Sequence, residues 1–355
     1  MKTKWEGKLE DYPLENYPDY VPGKPPQVLE SYKYSYLDEY EKTWGKRWGS
    51  VGIGKLREVV LIKPEPEWEG NPLWRKDPAF FCLRHTRNID GEAMLRNHEE
   101  YSKLLQSLGI KIHWMKFEDK IGTWGPMRKL FMAEEPKIVL GGAIIPRFVH
   151  ASFKRGLDRE FMKFLVSIGC PILYTVHGSG IFEVAPMTMP IAEGVWIVGM
   201  SEACNQEGLD QVLPVLSRCG VKEWQICRLQ TIMDSWESGG EFHLDMVLGA
   251  LGDHIVVAYP GNLDFQTFAW LKEHKFKIIE IPADEQRKYY PANLVLVEPG
   301  VVIMPKGAVK TIKAVEQAGV KVIPFDSSGI MQGGTNGVRC ITMELLREPG
   351  PGLND

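Results

Sequence analysis

The stretch that decides the fold runs from Leu294 to Pro305 and reads LVLVEPGVVIMP. Two short apolar runs flank a Pro-Gly pair, which is typical of two strands joined by a tight turn. A helical pattern follows from Ala308 to Ala318, and a further apolar strand is predicted from Lys321 to Phe325. The local order is therefore strand, turn, strand, helix, strand.

The same order recurs along the chain. It is repeated in three earlier stretches, at Lys137–Pro146, Ile191–Gly199 and Met246–Pro260. Upstream, a strand from Glu58 to Pro64 precedes a helical pattern from Asp90 to Leu108, and another strand is predicted from Ile110 to Trp114. The sequence thus predicts about five ββα-type modules.

Modules of this kind gain burial by docking side by side, so a closed α/β ring of five is a physically reasonable arrangement. A ring also brings loop ends together at its centre. A doubly wound open sheet is the competing fold. Against it, no G-x-G-x-x-G motif opens a helix, and the hairpins depart from simple βαβ alternation.

Composition and charge exclude several classes of protein. Of the 355 residues, 44% are apolar and 25% charged, as in an ordinary globular chain. The net charge of -4 and the scattered Lys and Arg argue against a nucleic-acid partner. No stretch approaches the roughly 20 apolar residues of a membrane span, and Met1–Trp5 does not open a signal peptide. We therefore expect a cytoplasmic protein with no membrane partner.

We expect the chain to divide into an N-terminal arm, residues 1–50, and a single α/β domain, residues 51–355. From Glu10 to about Trp48 the arm is crowded with Tyr, Pro and Trp and has little periodicity. Its aromatic side chains either anchor a neighbouring subunit or pack on the same chain. The arm makes a homo-oligomer a reasonable expectation.

Six cysteines are spread along the chain without a C-x-x-C pair, which favours thiols over a disulfide framework or a zinc site. Cys340 differs from the others because it follows a glycine-rich loop, QGGTNGVRC, at the predicted start of a strand. Glycines allow close backbone approach to a substrate, and Arg339 supplies positive charge that favours the reactive thiolate. The alternative is a buried core cysteine after a glycine-rich turn.

Two further segments carry candidate chemistry. In EFHLDM, strand alternation places His243 and Asp245 on one face, where a proton shuttle and a carboxylate would lie together. In GSGIFEVAP, Glu183 lies on an otherwise apolar strand after a glycine turn, and a buried acid requires a partner. The alternatives are a surface pair or half a metal site for His243 and Asp245, and a solvent-reaching strand end for Glu183.

Taken in order, these segments resemble the arginine deiminase and amidinotransferase superfamily, the guanidino-group modifying enzymes of the pentein fold, a five-bladed α/β propeller. The resemblance runs from about Gly54 to Glu348. Its opening strand is similar to Gly54–Pro64, GKLREVVLIKP, and its S-E-R-T-N-x-x-G segment is similar to Ser201–Gly208, SEACNQEG. The most specific match is Gly337–Met343, GVRCITM, because it contains the nucleophile position.

The resemblance implies a small-molecule hydrolase that cleaves a C–N bond of a guanidino, amidino or ureido-type compound. Cys340 would attack the central carbon, His243 would protonate the departing amine and then activate water, and Glu183 would hold the imidazole and the substrate nitrogens. Asp245 would pair with a cationic group of the substrate. The predicted substrate-binding residues are Asp245, Arg147, Arg128, Arg339 and Asn336. No metal and no organic cofactor are implied.

Two departures from the family pattern bear on the substrate. Where the family places a further substrate-binding Asp, the sequence reads WGPMRKLF, with Arg128 or Lys129 at the expected position. The E-G-G-D or D-A-A-D segment becomes EVAP, from Glu183 to Pro186. A cation in place of the Asp would repel a guanidinium, so we predict a substrate other than free arginine. The alternative is a shifted alignment in which one of three acids supplies the charge: Asp119, Glu134 or Glu135.

Two other functions remain open at this point. An amidinotransferase would use the same residues with an amine as acceptor in place of water. A non-catalytic pentein-fold binding protein is the other alternative, although it has no chemical need for Cys340, His243, Glu183 and Asp245 together. The aperiodic segment from Phe80 to Asn88 is either a lid over the site or a plain loop.

Overall fold

The computed structural model describes residues 7–11, 13–14, 20–24, 35–62, 91–116, 135–149, 156–229, 243–331 and 337–354. Within these ranges the chain forms fifteen β-strands and eight α-helices. The strands are β1 (Leu56–Ile62), β2 (Lys111–Met115), β3 (Lys137–Val139), β4 (Gly142–Ile145), β5 (Ile172–Thr175), β6 (Thr188–Ala192), β7 (Val195–Met200), β8 (Glu223–Arg228), β9 (Leu248–Gly252), β10 (Ile255–Ala258), β11 (Lys277–Glu280), β12 (Val295–Glu298), β13 (Val301–Pro305), β14 (Lys321–Phe325) and β15 (Met343–Arg347).

The α-helices connect the strands. They are α1 (Tyr36–Trp44), α2 (Gly91–Ser107), α3 (Leu157–Ser167), α4 (Gln206–Arg218), α5 (Phe265–Glu273), α6 (Ala283–Tyr289), α7 (Val309–Gln317) and α8 (Ser328–Met331). The predicted helices at α2 and α7 are confirmed to within about a residue at each end. In the described ranges, no helix combines the length and the apolar character that a bilayer crossing demands.

The strands form five three-stranded sheets, ordered β15-β1-β2, β3-β4-β5, β6-β7-β8, β9-β10-β11 and β12-β13-β14. In every sheet the central strand pairs antiparallel with one neighbour and parallel with the other. Each parallel pair is connected through a helix, as a parallel crossover requires. The α/β class and the four predicted hairpins are confirmed.

The first sheet departs from the other four. Its antiparallel edge strand is β15, from the C-terminal end of the chain, which pairs with β1 in a register that includes Val60 opposite Met343. The described residues before β1 include no strand that could form this hairpin, so the C-terminal strand completes the sheet. The antiparallel edge strands also approach one another: β15 contacts β3, and β9 contacts both β6 and β12.

Helix starts are held by specific carboxylate or amide acceptors. The Asn205 side chain accepts from the Gly208 N–H at α4, and the Asp264 side chain accepts from the Thr267 N–H at α5. The α7 start lacks a capping side chain of its own, and Glu285 of α6 accepts the Lys310 N–H at 2.6 Å instead. Such caps stabilise a helix by about 1 kcal/mol each.

The largest core cluster joins the hairpins of β6-β7, β9-β10 and β12-β13 through buried apolar side chains. Trp196 of β7 is fully buried in it, and its indole N–H donates to the Val51 carbonyl at 2.7 Å. Trp48 is also buried, and the Tyr36 hydroxyl donates to the Gly141 carbonyl at 2.9 Å. The end of the N-terminal arm therefore packs on its own chain.

Candidate active site

The residues predicted to carry out the chemistry lie in the segments that precede the antiparallel edge strands. Glu183 precedes β6, Asp245 precedes β9 and Cys340 precedes β15. The corresponding segment before β12 contains Asn293, which was not predicted from the sequence. The side chains of these segments form two hydrogen-bonded groups, one of Glu183 with His243 and one of Asn293 with Asp245 and Cys340.

Cys340 lies in a turn three positions before β15, so its predicted place at the start of the strand is corrected. The turn is closed by the Thr342 N–H, which donates to the Arg339 carbonyl at 2.9 Å. The Thr342 hydroxyl donates to the Val338 carbonyl and also lies 2.7 Å from the buried Tyr101 hydroxyl. This turn leaves the Cys340 side chain partly exposed, which a reactive thiol requires.

Asn293 contacts the cysteine on both sides of its amide. Its Nδ2 donates to the Cys340 Sγ at 3.2 Å, and its Oδ1 accepts from the Cys340 N–H at 3.4 Å. The same Nδ2 donates to the Asp245 Oδ2 at 2.6 Å. Asp245 and the cysteine are thus linked through one side chain.

The prediction that His243 and Asp245 lie on one face of a strand is wrong. Residues Leu244–Met246 form a 3₁₀ turn, and the backbone is extended at His243. The turn is held where the Asp245 N–H donates to the Pro186 carbonyl at 3.1 Å. A turn of three residues per revolution separates the two side chains. His243 therefore reaches Glu183, whereas Asp245 reaches Asn293.

Glu183 also lies outside a regular strand, between the single bridge residue Phe182 and a turn that leads into β6. Its side chain is completely buried, which contradicts a strand-end acid that reaches solvent. Oε1 accepts from the Val149 N–H at 3.1 Å, and Oε2 lies 3.0 Å from the His243 Nε2. These two contacts are the partners that a buried carboxylate needs.

The pairing with Glu183 has a consequence for the histidine tautomer. An ionised carboxylate only accepts hydrogen bonds, so with Glu183 ionised the hydrogen of a neutral His243 is on Nε2. Nδ1 is then the ring nitrogen with a lone pair that can accept a hydrogen bond. The predicted roles of a proton-shuttling histidine and an orienting carboxylate are chemically compatible with this contact.

Two ion pairs of buried and half-buried side chains lie near the cysteine turn. Arg339 Nε is 3.9 Å from the Asp245 Oδ2, and both side chains are buried. The next carboxylate is Glu344, which accepts two hydrogen bonds from Arg347. Burial alone would raise the pKa of Glu344, but the positive charges of Arg347, Lys137 and Arg339 outweigh it and hold that pKa at about 2.

Three further residues were predicted to bind the substrate: Arg147, Arg128 and Asn336. Arg147 is exposed, and its guanidinium donates to the Gly180 carbonyl at 3.1 Å, beside the segment that carries Glu183. Arg128 and Asn336 lie outside the described residues. The same is true of Asp119, Glu134 and the Phe80–Asn88 segment.

Glu135, the last of the acids considered as a replacement carboxylate, is described. Its side chain is buried, and its carbonyl accepts from the Ala185 N–H at 3.3 Å. It lies two positions before β3, in the same place relative to the edge strand as Asn293 before β12. A carboxylate therefore occupies the entry to the second sheet, next to the Glu183 turn.

The Ser201–Gly208 segment is hydrogen-bonded to the backbone just before Glu183. The Asn205 Oδ1 accepts from both the Ile181 N–H and the Gly208 N–H at 2.9 Å, and its Nδ2 donates to the Ser179 carbonyl. A Cβ on Gly208 would lie 2.1 Å from the Ile181 carbonyl oxygen. The segment thus ties the start of α4 directly to the backbone that precedes Glu183.

The remaining described cysteines differ from Cys340 in burial. Cys170, Cys204, Cys219 and Cys227 are buried, and no disulfide joins any of the five described cysteines, as predicted. Burial raises the pKa of Cys219 to about 11 and that of Cys227 to about 12. Among the described residues no three His, Cys, Asp or Glu side chains are grouped as a metal site.

Comparison with known proteins gives a partial family match and a full-length relative. A family model described as arginine deiminase matches residues 252–347, which include Asn293 and Cys340. The 2-nitroimidazole nitrohydrolase of Mycobacterium sp. (strain JS330) is 28% identical over 363 residues, covering 97% of this chain and 94% of the relative. This similarity therefore extends over nearly the whole of both proteins.

Solved structures show the same fold at lower sequence identity. The dimethylarginine dimethylaminohydrolase of Pseudomonas aeruginosa is 22% identical, with a TM-score of 0.61 over 81% of this chain and 99% of that chain. The SxtG amidinotransferase of Microseira wollei is 14% identical, with a TM-score of 0.62 over 84% of this chain and 97% of that chain.

Proposed function

We propose that the chain is a member of the arginine deiminase and amidinotransferase superfamily of pentein proteins, and that it is a cysteine-dependent hydrolase of a C–N bond at an amidine-type carbon. The family-model match over residues 252–347 and the fold shared with the solved structures support the resemblance drawn from the sequence. The observation that carries the proposal is the placement of a partly exposed thiol, a buried Glu183 paired with a half-buried His243, and a buried Asp245 at the entries to the edge strands.

The proposal includes the closed five-bladed propeller. The contacts of β15 with β3, of β9 with β6 and β12, and of β1 with β12 support a ring of sheets. A bridge between Arg147 and Phe182 supports the neighbouring placement of the second and third sheets. In such a ring the five edge-strand entries converge on one central pocket.

The chemistry proceeds in two steps. The Cys340 thiolate forms a C–S bond to the central carbon, and the C–N bond to the leaving group breaks as His243 supplies a proton where the leaving group is an amine. A covalent S-linked amidine-type intermediate remains. His243 then accepts a proton from water as the oxygen attacks that carbon, and the C–S bond breaks to return the thiolate.

The buried carboxylates define the substrate face. Glu183, Glu135 and Asp245 are all acceptors for N–H groups, as an amidine-type carbon with two nitrogen substituents requires. Asp245 already lies 3.9 Å from the buried Arg339 guanidinium, which offsets part of its charge. A weakly basic amidine-type compound therefore fits this set better than a full guanidinium, and free arginine is not the proposed substrate.

A nitro-substituted amidine heterocycle is the narrower candidate, favoured by the similarity to a 2-nitroimidazole nitrohydrolase over nearly the whole of both chains. The C2 atom of a 2-nitroimidazole lies between two ring nitrogens, so it is an amidine-type carbon. Attack by Cys340 at C2 would expel nitrite, and hydrolysis of the C–S bond would leave an imidazol-2-one. Nitrite needs no proton on departure, so His243 would act mainly in the water step.

The experiment is an assay of covalent adduct and leaving group. Wild type, Cys340→Ala and a matched Cys219→Ala control are incubated with guanidino, amidino, ureido and 2-nitroimidazole compounds. Intact mass is recorded together with released ammonia, amine and nitrite. We expect a transient adduct and turnover with wild type and the control only. Turnover that persists in Cys340→Ala, or a panel without adduct or release, would contradict the proposal and favour a binding role.

We also propose a cytoplasmic homo-oligomer. Among the residues that the structure describes, five of the nine exposed large apolar side chains lie in the arm: Leu14, Tyr20, Val21, Tyr36 and Trp44. A partner subunit would cover these side chains, because exposed apolar groups in one segment favour association. Light scattering of the full chain and of a variant with Tyr20 and Trp44 changed to Ser tests the arrangement; we expect the variant to lose the larger assembly.

A further inference from the structure

We propose that Asn293 is a positioning residue of this site, which holds the Cys340 sulfur beside the Asp245 carboxylate by donating one amide hydrogen to each. The inference rests on the proposed function and names a residue that neither the sequence argument nor the family resemblance assigned. It concerns how the nucleophile is prepared before a substrate arrives.

The hydrogen-bond geometry determines which way the amide faces. Asp245 is completely buried and, as a carboxylate, accepts hydrogen bonds only. Its Oδ2 lies 2.6 Å from Nδ2 of Asn293, so the nitrogen side of the amide must face it. The Oδ1 side then accepts the Cys340 main-chain N–H at 3.4 Å. Both contacts agree on one orientation of the amide.

In that orientation the Asn293 amide donates a hydrogen bond to the Cys340 sulfur, the atom proposed to attack the substrate. Nδ2 has two hydrogens, one directed to Asp245 and the other to the Cys340 Sγ at 3.2 Å. A donated hydrogen stabilises the charged thiolate more than the neutral thiol. The amide therefore favours the nucleophilic form of the sulfur and keeps it next to a carboxylate of the substrate face.

The surrounding chain is shaped to admit this side chain. Asn293 is completely buried, and its main-chain N–H donates to the Tyr290 carbonyl at 2.9 Å. A Cβ on Gly337 would lie 2.6 Å from the Asn293 Oδ1, so a glycine is needed where the cysteine turn passes the amide. A buried amide is costly unless its polar atoms are paired, and here they are paired to the site.

The test measures the pH at which Cys340 becomes reactive. Iodoacetamide is used between pH 5 and 10 to alkylate four proteins: wild type, Asn293→Ala, Asn293→Asp and the control Asn262→Ala. Asn262 is a buried asparagine that follows β10. Cys340 is followed by peptide mass. The loss of one charge-assisted hydrogen bond shifts the midpoint of Asn293→Ala upward by about one to two pH units. Asn293→Asp, which keeps the shape but adds negative charge, shifts it further.

Steady-state kinetics supply a second readout. For Asn293→Ala we expect kcat/KM to fall about tenfold or more at pH 7 and to recover as the pH rises, because alkaline pH restores the thiolate. A merely structural loss would lower activity equally at all pH values. Asn262→Ala should keep the wild-type midpoint and profile even where its thermal stability is reduced.

The outcomes separate this inference from the proposed function. If Cys340 is essential for turnover and both Asn293 variants keep the wild-type midpoint, the role of Asn293 is refuted while the hydrolase proposal stands. If Cys340→Ala retains turnover, the hydrolase proposal fails whatever the Asn293 variants do. If Asn293→Ala does not fold, the isosteric Asn293→Asp decides, since an unchanged midpoint there also refutes the inference.

Discussion

Replacing Glu183 by Gln tests how the histidine is held. The side chain keeps its size, and one oxygen remains to accept the Val149 N–H, now 3.1 Å from Oε1. The other position becomes an NH₂ group that faces the His243 Nε2, now 3.0 Å from Oε2. The two donors cannot both bond, so the imidazole must adopt the other tautomer, with its hydrogen on Nδ1.

The expected loss follows from the energy of that contact. A hydrogen bond to a charged group contributes about 1.5–3 kcal/mol. At about 1.36 kcal/mol for each factor of ten in rate, kcat/KM should fall about 10- to 150-fold. The unfolding free energy should change less than activity does, because one of the two bonds at the site is retained.

The assay is steady-state turnover of the substrate found in the adduct screen, with urea unfolding in parallel. Glu298→Gln serves as the control, since that carboxylate pairs with Lys55 at 2.9 Å and both side chains are partly exposed. We expect the control to retain wild-type activity. Activity of Glu183→Gln within twofold of wild type would refute the assignment of Glu183 as the group that orients His243.

Three further predictions concern the support of the site. Tyr101→Phe removes the buried hydrogen bond to the Thr342 hydroxyl. Urea unfolding should show an unfolding free energy lower by about 1 kcal/mol, and an unchanged value would contradict a role of Tyr101 in holding the cysteine turn. Gly208→Ala places a Cβ against the Ile181 carbonyl. Thermal melting should show an unfolding free energy lower by about 1–3 kcal/mol, whereas an unchanged value would mean that α4 can shift to accommodate the methyl group. The folded-state pKa of Glu344 is about 2, below its usual 4.5, so its contribution to stability is present above about pH 4.5 and is lost as the pH falls toward 2. The difference in unfolding free energy between wild type and Glu344→Gln should be on the order of 2 kcal/mol at pH 7 and should shrink across that pH range. A difference that stays constant with pH would contradict the ion pair.

The sequence alone determined the modules and the identity of most candidate residues. Hairpins such as Leu294–Pro305 were readable because both apolar periodicity and glycine turns are local properties of the chain. Cys340, His243, Glu183 and Asp245 were found because each residue type has a distinctive chemistry in an unusual local setting. The strand expected for His243 and Asp245 was wrong because tertiary contacts, above all the Asp245 N–H to Pro186, impose a 3₁₀ turn.

Tertiary structure alone decided which groups meet. The pairing of β1 with β15 joins residues from opposite ends of the chain, and no local pattern encodes a partner so distant. Asn293 was missed because an asparagine before a strand reads as an ordinary turn residue. Its role depends on Cys340 and Asp245, each nearly fifty positions away. One signal was present: Glu135, Glu183, Asp245, Asn293 and Cys340 each come shortly before the edge strand of their module, a regularity that becomes meaningful only when those strands are brought together.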